Sequence, residues 1–477
     1  MLFNSFPFLL LFLPIVVAGY AVAQRILGQK AAQGFLLASS FFFYGCARPS
    51  YVPILAGSIL FNWLIGTWMG KADEQTPANE SRRKLILRIG LVGNVGLMCS
   101  FKYINFFLQH FAFLNASKFA LPNWEFPLGI SFFTLTQVMY LVDTYQGLNA
   151  PNSLFDHATA VSMFPYIEAG PLVRMRTIIP QLREYKKQVG RSELACRGIY
   201  MLSLGLAKKV VLADSFAQVA NVGFGSAENF STLESWIFSL CYTFQIYFDF
   251  SGYSDMAVGC AWMLGIDIPQ NFNNPYISKS VSEFWQRWHI SLSNFITNYL
   301  YTPILQSMGK ATITTSVIAV MIAMSIAGLW HGPAWTYVIW GTLHGCALGV
   351  CQIWKRQKTK MPPWLAWGIT FLFVDLSLVF FRSPSVPLAL HMLHGMLPHE
   401  DLFGTEAIMY IIPMNMHILL RPVALGVLLA FFFKTSQQLA EKFRPSKVTV
   451  LATAALILVS FLFMNSTAAK EFVYFAF

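Results

Sequence analysis

A histidine set in a break between two apolar segments is the residue of this chain whose surroundings most suggest chemistry. Between Lys310 and Lys355 there is no Asp, Glu, Lys or Arg. At about 1.5 Å per helical residue, that stretch can cross a hydrocarbon core of roughly 30 Å twice. Near its middle stands Ala327-Gly328-Leu329-Trp330-His331-Gly332-Pro333-Ala334-Trp335. Gly328 suits the end of one helix and Pro333 the first position of the next, which puts His331 on the break. Irregular backbone at membrane depth is tolerated only inside protein or along a wet cavity. The expected positive end of a helix aimed at the imidazole disfavours its protonated form. A neutral imidazole in a water-poor cavity is what a general base for a hydroxyl group requires. The plainer alternative is a structural histidine bonding a neighbouring carbonyl; the break on both sides favours the catalytic reading.

Two further blocks carry polar groups inside apolar sequence. Ser280-Val281-Ser282-Glu283-Phe284-Trp285-Gln286-Arg287-Trp288-His289-Ile290-Ser291-Leu292-Ser293 opens with the S-x-x-E signature of a helix start. Glu283 and Arg287 are spaced to pair, and Trp285, Trp288, His289 and Leu292 are expected on another face of the same helix. An interfacial helix with a tryptophan belt accounts for most of these residues, leaving His289 as a second candidate. Tyr247-Phe248-Asp249-Phe250-Ser251-Gly252-Tyr253-Ser254-Asp255 places two carboxylates in the otherwise uncharged run 235–266. Six residues apart, they do not share a helix face, so they are expected to satisfy buried polar groups or counter a nearby Arg rather than act as an acid/base pair. His344 lies within the helix after the break and reads as a packing or hydrogen-bonding residue. No HxxxH or carboxylate partner accompanies either His331 or His344, so no metal is expected.

The elements that must position these residues are membrane spans. The chain has 477 residues, 56% hydrophobic and 12% charged, with a mean hydropathy of +0.53, whereas a soluble domain carries about a quarter charged residues. The net charge of +11 does not indicate nucleic acid. Its basic residues sit in short clusters between apolar runs (82–84, 174–191, 355–360 and 434–447) as cytoplasmic loops do under the positive-inside rule. The seven cysteines are odd in number and form no CxxC, and read as small buried hydrophobes. The first 24 residues are uncharged and lack the basic start of a secretory signal. They read as a first span with its N-terminus outside.

Apolar runs near 2–23, 34–69 (a hairpin broken around Pro49 and Pro53), 85–117, 126–142, 154–173, 194–220, 233–266, 311–354, 363–382, 406–433 and 447–467 predict an all-α polytopic protein. Ten to twelve spans with re-entrant or interfacial pieces are expected. With 355–360 inside, 363–382 crosses outward, 406–433 returns, and 447–467 leaves the C-terminus outside. No repeat or linker divides the chain, so one membrane domain is expected over 1–477.

Taken together the blocks resemble the membrane-bound O-acyltransferase family, in particular its bacterial branch typified by the alginate O-acetylation membrane protein. The resemblance runs through FKYINFF (101–107), FPLGISFFTLTQVMYLVDTYQG (126–147), AGPLVR (169–174), GLAKKVVLAD (205–214), YFDFSGYSDMAVG (247–259), FWQRWHISLSNF (284–295), GLWHGPAWTYVIWGTLHG (328–345) and VFFRSPS (379–385), to the terminal FVYFAF. The histidine blocks are its specific part. It implies a core over about 85–385, further C-terminal helices over 386–477, and a ring of tilted helices around a central tunnel. It also implies a bacterial inner-membrane location, with no tightly bound cofactor. His331 matches the family's catalytic histidine, expected to promote acyl transfer from a thioester donor, here acetyl-CoA, to a hydroxyl. His289 matches the histidine near the donor tunnel. Trp330, Asp249, Ser251, Tyr253, Asp255, Trp285, Arg287, Asn294 and His344 are then expected to line or support the tunnel. In this branch the resemblance implies transfer of acetyl across the inner membrane for O-acetylation of an exported polysaccharide, with a periplasmic Ser-Gly-Asn-His acetyltransferase taking the acetyl group onward and polysaccharide export machinery as a further partner. D-alanyl transfer to teichoic acid is the rival within the family, and a transporter with a polar substrate path the rival outside it. One departure is plain: where the family shows FFPQL before AGP, this chain has Phe164-Pro165-Tyr166-Ile167-Glu168-Ala169-Gly170-Pro171.

Overall fold

A computed structural model describes residues 1–70, 77–110, 126–149, 151–184, 191–225, 230–357, 360–404, 416–466 and 472–473. Parts of the expected elements, 111–117 and 406–415 among them, lie outside the described residues, as do 474–477 of the terminal motif and parts of the basic clusters 174–191 and 355–360. Among the described residues the regular structure is entirely helical. Six helices among the described residues are long and apolar enough to cross a membrane: Pro7–Ile26, Pro49–Gly70, Ala78–Lys102, Ile313–His331, Pro363–Arg382 and Lys447–Asn465. Their outward faces are apolar. On the last of them Val448, Val450, Leu451 and Leu458 are all exposed, as a lipid-facing surface requires.

The chain divides into two compact units. The first comprises Met1–Leu202 and Met256–Pro269. Its core begins with clustered phenylalanines: Phe8 stacks on Phe3 at 4.6 Å and meets Phe43 edge-on at 5.8 Å, and Phe12 meets Phe164 edge-on at 5.2 Å. The expected break near Pro49 and Pro53 separates Gln29–Gly45 from Val52–Gly70. Asn62 and Asn94 exchange amide hydrogen bonds at 3.1 and 2.6 Å, joining Val52–Gly70 to Pro77–Lys102. The run 154–173 is not a span: the helix Leu154–Ser162 stops there. Pro165 and Pro171 lack the donors a helix needs, and 163–173 continues as buried turns. Tyr166 and Glu168 of the divergent motif are both buried in it. Gly129, at φ 73°, passes beneath them, where a Cβ would come within 2.5 Å of the Ile167 carbonyl oxygen.

The second unit comprises Ser203–Asp255 and Gln270–Phe477 and contains both candidate histidines. Residues 232–255 of the helix Thr232–Met263 form its longest helical stretch. The expected run 311–354 is a pair of helices, Ile313–His331 and Trp335–Trp354. Thr312 opens the pair with a reciprocal side-chain cap involving Thr315. Cysteine burial differs from expectation: Cys241 and Cys260 are buried, but Cys46, Cys196 and Cys346 are exposed. In lipid an apolar run keeps an outward face, so apolar sequence does not imply burial.

Candidate functional site

His331 closes the helix Ile313–His331 and is 3% exposed. Gly328 does not end the helix as its type suggested. It lies one turn inside, where a Cβ would meet the Tyr337 carbonyl oxygen at 2.3 Å and Gly341 Cα at 3.0 Å. Its role is therefore to let two helices approach backbone to backbone. The break falls at Gly332-Pro333-Ala334, and the next helix starts at Trp335, two residues after Pro333. His331 accordingly occupies the carbonyl end of its own helix, and the positive pole expected near the ring belongs to the next helix, which starts at Trp335. What surrounds the imidazole is aromatic: Trp330, Trp340 and Phe381 lie at 4.8, 5.2 and 5.1 Å between ring centroids.

Trp340 also touches His344, at 4.9 Å. The Trp285 indole N–H donates to His344 Nδ1 at 3.2 Å, which leaves the proton on Nε2 to be donated to Ser377 Oγ at 3.0 Å. Ser377 passes its own proton to the Val374 carbonyl at 2.8 Å. With both ring nitrogens engaged, His344 is a hydrogen-bonding residue that braces Trp285 and Trp340 behind His331.

His289 does not share a helical face with Trp285 and Trp288. The helix Val281–Arg287 ends before it and Ile290–Phe295 begins after it, with His289 itself in the left-handed region at φ 41°. The first helix starts as expected, Ser280 Oγ accepting from the Glu283 amide, and Arg287 pairs with Glu283 at 2.9 Å. The break is held by residues not singled out in the sequence. Asn271 accepts from the Ile290 amide at 3.0 Å through its carbonyl and from the Ser291 amide at 3.1 Å through its side chain. The Asn273 amide donates to the Arg287 carbonyl at 2.9 Å. His289 is fully buried, edge-on to Phe250 at 4.6 Å, and burial pushes its pKa down to about 3, so the ring is neutral.

Asp249 and Asp255 are ion-paired, and to lysines rather than to the expected Arg. Lys209 bridges Asp249 at 2.7 Å and Asp214 at 3.0 Å, while Lys208 holds Asp255 at 2.7 Å. Gly252, between the two acids, lies against the Gly205 carbonyl, and this close crossing lets adjacent lysines reach carboxylates on different faces. The Val473 amide donates to Asp249 at 2.7 Å. Phe472 packs on Phe250 at 5.5 Å and stacks on Tyr253 at 4.7 Å, so the terminal motif braces the wall behind His289. Ser251 is buried on the same helix, whereas Asn294 is exposed and outside this cluster. Sequence reasoning also passed over Asp375, the one acid in the apolar run 363–381, which accepts from Ser239 and Thr243 at 3.0 and 2.6 Å.

The second unit thus gathers His331, His344, Trp285, Trp330 and Trp340 in one aromatic group, and gathers His289, Phe250, Tyr253 and Asp249 in another. Comparison with known proteins gives these groups a context. The family model for membrane-bound O-acyltransferases matches residues 84–390. Helicobacter pylori peptidoglycan O-acetyltransferase is 35% identical, over 100% of this chain and 98% of that protein. The probable alginate O-acetylase AlgI of Pseudomonas aeruginosa is 36% identical over 85% of this chain and 76% of its own. The teichoic acid D-alanyltransferase of Bacillus subtilis is 28% identical over 54% of this chain and 68% of its own. A multi-pass helical chain with these matches, carrying a buried histidine at a helix break, is a bacterial-type O-acyltransferase: it belongs to the membrane-bound O-acyltransferase family.

Proposed function

We propose that this enzyme moves an acetyl group from cytoplasmic acetyl-CoA to a hydroxyl of an exported cell-envelope glycan, with His331 as general base. The observation that carries the reading is the placement of His331 at a helix break, buried among Trp330, Trp340 and Phe381. The imidazole takes the proton of the acceptor hydroxyl as its oxygen attacks the thioester carbonyl. The C–O bond forms, the C–S bond breaks, and the imidazolium returns the proton to the departing thiolate, leaving acetyl ester and CoA. His289, neutral and fully buried, is assigned to the donor side of the same passage. Trp285, Arg287, Asp249, Asp255, Ser251, Tyr253 and His344 support its walls. The passage is read as a central tunnel in a ring of ten to twelve helices forming one membrane domain in the inner membrane, with both chain ends outside.

Membership of an acyltransferase family removes the transporter reading. Acetyl transfer is favoured over D-alanyl transfer because the D-alanyltransferase match spans only about half of this chain. Peptidoglycan is preferred to alginate as acceptor because the peptidoglycan relative matches end to end. A periplasmic Ser-Gly-Asn-His acetyltransferase and export machinery are the proposed partners. The test is CoA release by the purified protein in lipid nanodiscs, with acetyl-CoA, peptidoglycan fragments and the periplasmic partner. Release that depends on the acceptor is expected. No release above background overturns acetyl-CoA transfer.

A further inference from the structure

We infer that a cavity beyond the helix Pro363–Arg382 is a carbohydrate subsite, seating one neutral sugar ring of the acceptor on the side of the membrane opposite the donor. The role rests on the glycan transfer proposed above; the ligand class rests on the lining alone. The cavity measures about 290 Å³, at the small end of ligand pockets, which suits one ring and not a nucleotide-bearing donor. Phe224 and Phe230 supply aromatic surface for the apolar face of a ring. Ser235, His391, His394 and His399 supply groups that both donate and accept hydrogen bonds, as hydroxyls do. Among the described residues no Asp, Glu, Lys or Arg lines it. Among the described residues no three such side chains gather as a metal site.

Its position joins it to the chemistry. Ser383 and Pro384 form part of its wall, and Phe381, two residues earlier, lies 5.1 Å from His331. Phe224 of the wall packs on Tyr242 at 5.6 Å, and the Arg382 guanidinium lies over both rings, at 5.7 and 5.9 Å. The Tyr242 hydroxyl is buried and has no hydrogen-bond partner among the described residues. The helix leads away from the basic cluster 355–360, so its far end is the outer one. Its three histidines, His391, His394 and His399, lie beyond residue 390, where the family-wide match ends, while its aromatic and serine lining lies within that match.

The experiment is equilibrium dialysis of the full-length protein in nanodiscs against chitotriose and against a mannuronate trimer. The wild type and His331→Ala are expected to bind the neutral chitotriose better than the acidic trimer. Leu388→Trp, which fills the cavity, and His394→Ala, which removes an exposed donor, are expected to weaken chitotriose binding by roughly tenfold or more. If Leu388→Trp fails to fold, His394→Ala decides alone. Absence of chitotriose binding by the wild type, equal or tighter binding of the acidic trimer, or wild-type affinity in folded variants overturns the subsite. CoA release with no sugar binding sinks this inference and leaves acetyl transfer standing; sugar binding without CoA release does the reverse.

Discussion

At the scale of single residues, His331 and His344 are told apart in the sequence by the helix break at His331, and they differ also in what they touch. His344 spends both nitrogens on Trp285 and Ser377, whereas His331 sits at a helix end inside an aromatic box. Replacing His331 by Ala is expected to lower acetyl transfer by about a hundredfold to ten-thousandfold, with membrane insertion and melting temperature preserved. Turnover within a few-fold of wild type in a CoA-release assay would remove it as the base. His289 gives a different kind of prediction, because its backbone is at φ 41°. A side chain in that region costs roughly 1–2 kcal/mol that glycine avoids. His289→Gly should therefore melt higher than His289→Ala, while both lose the same imidazole. Equal melting in detergent, or a more stable Ala variant, speaks against a strained position.

Helices are brought together here by glycines and by buried ions, and each device has its own signature. Gly328 and Gly341 face each other across the paired helices, and a Cβ at Gly341 would stand 2.3 Å from the Met324 carbonyl. Gly328→Ala is expected to cost about 1–3 kcal/mol, the usual range for overpacking, and to lower transfer by moving His331 relative to Trp340. A variant with wild-type stability and turnover contradicts the close crossing. Lys209 is 4% exposed and sits between Asp214 and Asp249. Lys209→Met leaves buried carboxylates without their cation and is expected to destabilise by roughly 3–5 kcal/mol. Recovery in the triple variant with Asp214→Asn and Asp249→Asn would identify unpaired charge, rather than lost packing, as the cause.

For the whole molecule, orientation is the property that links charge to function. If the basic cluster 355–360 lies inside, as the positive-inside rule proposes, the far end of Pro363–Arg382 and the residues 383–404 after it face outward. In a cysteine-free background, Glu400→Cys should react with an impermeant maleimide in cells whose inner membrane is intact, and Lys360→Cys only after lysis. The opposite pattern inverts the topology and separates the proposed sugar subsite from the outer compartment. Both candidate histidines fall in a single compact unit, so their geometry can be probed without reference to the remainder of the chain.

Apolar runs, basic clusters and the two histidine motifs carry most of the architecture, because span length, loop charge and an intramembrane imidazole are local properties that a linear sequence displays. The span Pro363–Arg382, the paired helices around His331 and the cap at Ser280 are all legible in that way. Partnership is not. The end of the first helix passed from Gly328 to His331 because a glycine that terminates a helix and one that admits a neighbouring backbone have the same side chain. The run 154–173 is apolar enough to span, yet its prolines make turns that only burial in protein can stabilise. Lys208 and Lys209 find Asp255 and Asp249, and Asn271 finds the amides after His289, at sequence separations of 19 to 47. Such contacts are set by which surfaces pack in three dimensions, and periodicity along one dimension holds no record of them.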